Sequence, residues 1–207
     1  MRKLTFLLAC SMSAVFAASP GLVIHSQYSS GRDRVVEVRN DAEIAVTAFL
    51  LGTSETATAT TDVLLGAHDG RSLHAGETAE VRIPNGGAAE ARVMAVIFED
   101  GSSEGDSRSI GRLLDQRRDV SRQVNFALTL LRNENVYNYP AATVANWFRH
   151  WRERWQADDP NRDVRVAIAA ESYFGQAGNA SAVTPARDLT QALEQLSAKL
   201  TASRPAL

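Results

Sequence analysis

At Asp106 the hydrophobic period of this 207-residue chain changes from two to about 3.6, and that switch limits the fold more than any other feature. Before it, apolar residues alternate with polar ones in short runs broken by turn residues, the signature of half-buried strands. After it, apolar residues recur at steps of three and four, the signature of amphipathic helices. The expectation is an N-terminal β-sandwich over 19–106 and a C-terminal helical region of about four helices over 107–207.

Seven short strands are predicted at roughly 8–12-residue spacing, which fits a sandwich of immunoglobulin-like or fibronectin-III-like architecture. They are Leu22 to Tyr28, Arg34 to Arg39, Ile44 to Leu51, Asp62 to Leu65, Ala79 to Ile83, Ala91 to Glu99 and Ser102 to Gly105. Thr53 to Thr61, rich in Thr, Ser and Ala, reads as a loop, and Ala67 to Gly70 as a turn. In the third strand Ile44, Val46, Ala48 and Leu50 form one face, and Phe49 and Leu51 make the other apolar too, so it should be central. In the sixth, Val93, Ala95 and Ile97 oppose Met94, Val96 and Phe98. Asp100-Gly101 is a strong hairpin signal. The Cys–Trp–Cys hallmark of antibody domains is absent.

Asp106 or Ser107 can cap the first helix, whose apolar positions run from Ile110 through Leu113, Val120, Val124 and Leu128 to Leu131. Asn133-Glu134-Asn135 should end it. A second helix is expected from Ala141 to about Gln156, stopped at Asp158-Asp159-Pro160-Asn161. Val164 to Phe174 mixes strand and helix signals and is assigned to helix. Thr184-Pro185 reads as a cap followed by proline at the first helical position, opening a helix with Leu189, Leu193, Leu196 and Leu200 on one stripe.

Residues 1–18 read as an export signal peptide: Arg2 and Lys3, an apolar run to Ala17, then small residues suited to cleavage. The run is too short for a bilayer core of roughly 30 Å, which takes about 20 apolar residues. The lone Cys10 lies inside it, so cleavage after Ala17 or Ala18 would leave a chain without thiols, held by its core alone. The expected location is periplasmic or extracellular. The chain carries −2 overall, but residues 19–106 hold 14 acidic and 6 basic side chains and 107–207 hold 10 and 14. That asymmetry suggests two units, the basic one docked on the acidic one.

The most distinctive local feature is an aromatic stripe. Trp147, Trp151 and Trp155, all the tryptophans of the chain, sit at i, i+4 and i+8 on one helical face, flanked by Arg149 and Arg152. A core face is the leading account, because tryptophan burial is worth several kcal/mol. Exposed, the same face would suit a glycan, a partner helix or a membrane surface, with Trp147, Trp151, Trp155, Arg149 and Arg152 as the contacts. The acidic hairpin Glu99, Asp100, Glu104 and Asp106 lacks the ligand spacing of a calcium loop. His25, His68, His74 and His150 offer no zinc spacing. No GxSxG, SxxK, Walker or GxGxxG pattern occurs. No cofactor, nucleic-acid partner or membrane-spanning segment of the mature chain is expected.

The segment from Val35 to Arg118 resembles a group of uncharacterised secreted bacterial proteins with one immunoglobulin-like sandwich followed by a helix. Val36-Glu37-Val38-Arg39-Asn40, Ile44 to Phe49 and Ala95 to Asp106 carry the resemblance, which implies an architecture and no activity. The resulting expectation is a non-enzymatic exported protein with a recognition or scaffolding role at the cell envelope, its partner a protein or glycan. The competing expectation is an enzyme whose site lies between the two units, with Glu99, Glu104 and Asp106 facing His150 or an arginine.

Overall fold

The computed structural model describes residues 21–54, 57–65, 71–132, 134–160 and 162–202. The expected signal peptide with Cys10, the turn at Ala67 to Gly70 with His68, and the stop residues Asn133 and Asn161 lie outside them. The element order is β1 (Leu22–Ser30), β2 (Asp33–Asn40), β3 (Val46–Gly52), β4 (Thr58–Asp62), β5 (Thr78–Ile83), β6 (Arg92–Phe98) and β7 (Ser103–Gly105). Four helices follow: α1 (Ser107–Arg132), α2 (Ala141–Asp158), α3 (Arg165–Ala177) and α4 (Val183–Ala202).

The strands form two antiparallel sheets, ordered β1-β2-β5 and β4-β3-β6-β7. Leu22, Val36, Val38 and Ile83 from the first meet Phe49, Leu51, Val96 and Phe98 from the second in one core. The outer face of the second sheet is apolar too. Ala48, Leu50, Ala95 and Ile97 receive Leu113, with Ile110 and Leu114 beside it. The helix α1 is 26 residues, or about 39 Å at 1.5 Å per residue. Its first half covers the sheet, while Val120, Val124, Leu128 and Leu131 in its second half join α2, α3 and α4 in a separate helical core. Among the described residues, no helix is long and apolar enough to cross a membrane.

Two bulges refine the strand faces expected from alternation. Val46 pairs with Phe98 and Ala48 with Ile97, so Thr47 is an extra residue in β3. Val46 therefore points into the sandwich core, while Ala48 and Leu50 face α1. Opposite Leu50 and Leu51, β6 carries Met94 as its extra residue, which sends Val93 to the sandwich side and Met94 to the helix side. A bulge inverts the phase of alternation, which a period-two reading cannot register.

The segment after β3 also departs from expectation. Thr58–Asp62 is an edge strand, and Val63–Leu65, expected as a strand, is a 3-10 turn. β-branched threonines suit a pleated edge, and the Asp62 carboxylate accepts from the Leu64 N–H at 3.0 Å, which turns the chain there. The third helix forms as assigned, with Val166, Ala167, Ala170 and Phe174 buried on one stripe. The last helix starts at Val183, so Thr184 and Pro185 lie inside its first turn rather than at its cap. There the Ser181 hydroxyl accepts from the Val183 N–H.

Candidate functional site

A buried ion pair fixes the helices to the sheets. The Arg117 guanidinium donates through Nε to Asp62 Oδ2 at 2.7 Å, and through Nη2 to Asp62 Oδ1 at 3.2 Å and to Thr47 Oγ1 at 2.9 Å. Its side chain is 6% exposed and that of Asp62 3%. The bulge in β3 supplies the hydroxyl, since Thr47 also donates to the Ile97 carbonyl at 3.1 Å. Farther along α1, the buried Gln123 side chain donates to the Asp163 carbonyl at 2.7 Å and accepts from the Val166 N–H at 3.2 Å. Arg165 grips Asp163 and donates to the Leu65 carbonyl at 3.2 Å. The turn between α2 and α3 is thereby tied both to α1 and to the chain after β4.

Those ties frame a groove of about 850 Å³ between α1, β4 and the α2–α3 turn. On α1 it is lined by Arg112, Gln116, Asp119 and Arg122, and opposite them by Trp155 and Arg162. The Arg162 guanidinium carbon stands 5.3 Å from the Trp155 ring centroid, a cation–π contact. On the α1 wall Asp119 holds Arg122 at 3.0 Å. A smaller groove, about 660 Å³, lies at the start of α1 and is lined by Arg92, Val93, Met94, Gly105, Asp106, Arg108, Ser109 and Arg112.

The tryptophan stripe is mostly a packing seam. Trp151 is 8% exposed and lies against Phe126 (centroids 4.5 Å), Trp155 (5.1 Å) and Phe148 (5.9 Å). Its buried indole N–H has no acceptor among the described residues. Trp147 is half-buried against Tyr139 at 5.0 Å. Trp155, also half-buried, alone of the three lines a groove. Arg149 and Arg152 reach neither groove. Both clamp Glu171 of α3, at 2.8 and 3.1 Å. The Arg149 hydrogen bond, helped by the Arg152 and Arg149 charges against partial burial, holds the Glu171 carboxyl below its ordinary range.

No protein-family model matches this chain, and no curated protein or solved structure matches it. The site must be read from its own chemistry.

The acidic hairpin serves local structure. Asp100 accepts from the Ser102 hydroxyl and N–H, and those bonds lower its pKa. Asp106 caps α1 by accepting from the Ser109 N–H at 2.9 Å, and its bonds to Ser109 lower its pKa likewise. Glu104 accepts from the Gly21 N–H at 2.8 Å. His150 is 77% exposed on α2, 3.6 Å from Glu153 of its own helix. Glu104, Asp106 and His150, expected to face one another across an enzyme cleft, therefore have other partners. Among the described residues, no group of three or more His, Cys, Asp or Glu could hold a metal.

Sequence reasoning singled out Trp155 but missed Arg92, Arg108, Arg112 and Arg162. Arg108 and Arg112, four apart on the polar side of α1, were readable as neighbours. Arg92 and Arg162 join them or Trp155 only through the tertiary fold.

Proposed function

We propose that this is an exported, non-enzymatic protein, an immunoglobulin-like sandwich with a docked helical region, that recognises a partner at the bacterial cell envelope. The observation that carries the reading is the groove walled by Trp155 and Arg162. A half-exposed indole with Arg162 over its face, beside Asp119 paired with Arg122, suits a recognition surface. Pinning by Arg117 and Gln123 preorganises that wall, which lowers the ordering cost of binding. The seven strands in sheets of three and four, and the resemblance of Val35 to Arg118 to secreted bacterial sandwich proteins, support the architecture and the compartment.

A glycan partner is favoured over a protein one by the same groove. Pyranose rings stack on indole, and their hydroxyls are met in pairs by planar carboxylates and guanidiniums. Co-sedimentation with purified cell-wall glycan tests this. The chain is expected to pellet with it, and Trp155→Ala to weaken the interaction roughly tenfold, about one good stacking contact. Iodide should quench Trp155 while Trp151 stays protected. Undiminished binding by Trp155→Ala, or none by the wild type, would refute the glycan reading.

A further inference from the structure

We infer that the glycan site does not end at the Trp155 groove but runs on along α2, over Phe126, to Trp147 and Tyr139. It then takes a linear polysaccharide rather than a single sugar, an inference that rests on the glycan reading above and sets the length of its ligand. Trp147, Trp151 and Trp155 form one stripe of α2, yet the middle ring is 8% exposed and offers a ligand little. Phe126 of α1 takes its place. It lies on Trp151 with centroids 4.5 Å apart and is itself 43% exposed. At the far end Tyr139, 41% exposed, stands edge-on to Trp147 at 5.0 Å. The solvent-facing order along the helix is therefore Trp155, Phe126, then Trp147 with Tyr139.

The row is continuous with the groove. Arg122 lies one turn before Phe126 on α1, Trp155 lies one turn after Trp151 on α2, and both line the groove, which therefore leads on to the Phe126 ring. From Trp147 to Trp155 is about 12 Å along α2, longer than one pyranose ring. A polysaccharide presents a ring at every step, so it can stack on each aromatic station in turn. A partner helix would instead need apolar anchors one turn apart in an unbroken groove. Exposed Asn125, Thr129 and Asn146 lie within a turn of the rings and supply donors and acceptors that sugar hydroxyls can meet. The stations are also fixed. Phe126 sits far inside α1, and Arg162 stands over Trp155. Tyr139 donates its N–H to the Val136 carbonyl at 3.3 Å, and its carbonyl accepts from the Ala182 N–H at 3.2 Å. A preformed row loses little freedom on binding.

Chain length is the test. Titration calorimetry is run with fragments of the purified cell-wall glycan sized to two, four and six sugars. Four sugars should bind roughly tenfold tighter than two, and six no tighter than four, because the row ends at Trp147 and Tyr139. Phe126→Ala/Tyr139→Ala should bring the four-sugar affinity down to that of two sugars, whereas Trp155→Ala should weaken every length. Tyr28→Ala, 54% exposed on β1, should change nothing. Phe126 and Tyr139 are exposed, so thermal melting should stay unchanged. Should the double variant melt early, Tyr139→Ala alone, outside both helices, must still weaken four sugars and spare two. Equal affinity at two and four sugars, binding of the intact glycan alone, or variants that keep the wild-type length dependence would overturn the row and leave the Trp155 contact standing. Failure of the intact glycan to bind would end the glycan reading and the row with it. Pelleting with phosphatidylglycerol vesicles instead of with glycan would likewise overturn it and make the row a membrane contact.

Discussion

Replacing Asp62 by alanine should do more damage than any other single charge removal in this protein. Its carboxylate faces a guanidinium that is 6% exposed, and two of the three bonds to that guanidinium end on it. Without Asp62 the cation stays buried with only the Thr47 hydroxyl as an acceptor, while Arg117 Nη1 already lacks one among the described residues. Stranding one member of a buried pair costs about 3–5 kcal/mol. For a chain of this size that is a fall in Tm of roughly 6–20 °C. Replacing both partners by apolar residues, Asp62→Leu with Arg117→Met, should recover most of the loss, because the desolvation of both charges disappears with them. The assay exploits the position of all three tryptophans in α2. Fluorescence in a urea titration reports the helical half, and far-ultraviolet circular dichroism reports both halves. The wild type should give coincident transitions, whereas Asp62→Ala should shift both curves and separate them as the helices release first. A loss below about 1 kcal/mol, or single-variant losses that simply add in the double variant, would show that the pair does not couple the halves.

Acid should loosen the α2–α3 seam through Glu171. Its folded pKa lies below the ordinary 4.5, so its stabilisation is complete above that value and is lost as pH falls through the folded pKa. Glu171→Gln should therefore be less stable than the wild type at neutral pH, and the two should converge as pH falls below 4.5, read from urea midpoints across the acid range. At the β7–α1 corner, Gly105→Ala should destabilise by more than about 2 kcal/mol, since it adds backbone strain to a collision with the Met94 carbonyl. Gly111→Ala, inside α1 with open space around its Cβ position, should instead stabilise by roughly 0.5–1 kcal/mol. Paired thermal melts check both signs.

The residues that repeat were legible, and those that interrupt the repeat were not. Alternation and turn signals located six of the seven described strands, and helical spacing located α1, α2 and α4, because burial on one face leaves a periodic trace, whereas α3 was assigned on its alanines against a strand-like alternation. Thr58–Asp62 escaped because an edge strand rich in threonine has no apolar alternation, and Asp62 was given to the wrong element. The bulges at Thr47 and Met94 escaped because an extra residue has no local composition. The candidate site was less legible still. The stripe Trp147, Trp151 and Trp155 was visible, yet whether each indole met solvent depended on Phe126, Tyr139 and Arg162, which the fold brings from other segments. Arg149 and Arg152 looked like free cations until Glu171 arrived from α3.

The charge asymmetry between the halves suggested an electrostatic dock, and the structure assigns the dock a different cause. Arg117 with Asp62 forms a buried ion pair between 21–106 and the helices. Arg165 adds a hydrogen bond to the Leu65 carbonyl, and the apolar part of the joint is Leu113 with Ile110 and Leu114 on Ala48, Leu50, Ala95 and Ile97. Burial of that size is insensitive to salt, and a buried pair is screened far less than a surface one. Most of the arginines that pair on the helical half do so with carboxylates of that half rather than across the joint. Some close ion pairs on their own surface, as Arg122 does with Asp119, while Arg108 and Arg112 gather with Arg92 where α1 leaves the sheet. The halves are thus held together chiefly by shape, with one buried charge pair setting their register.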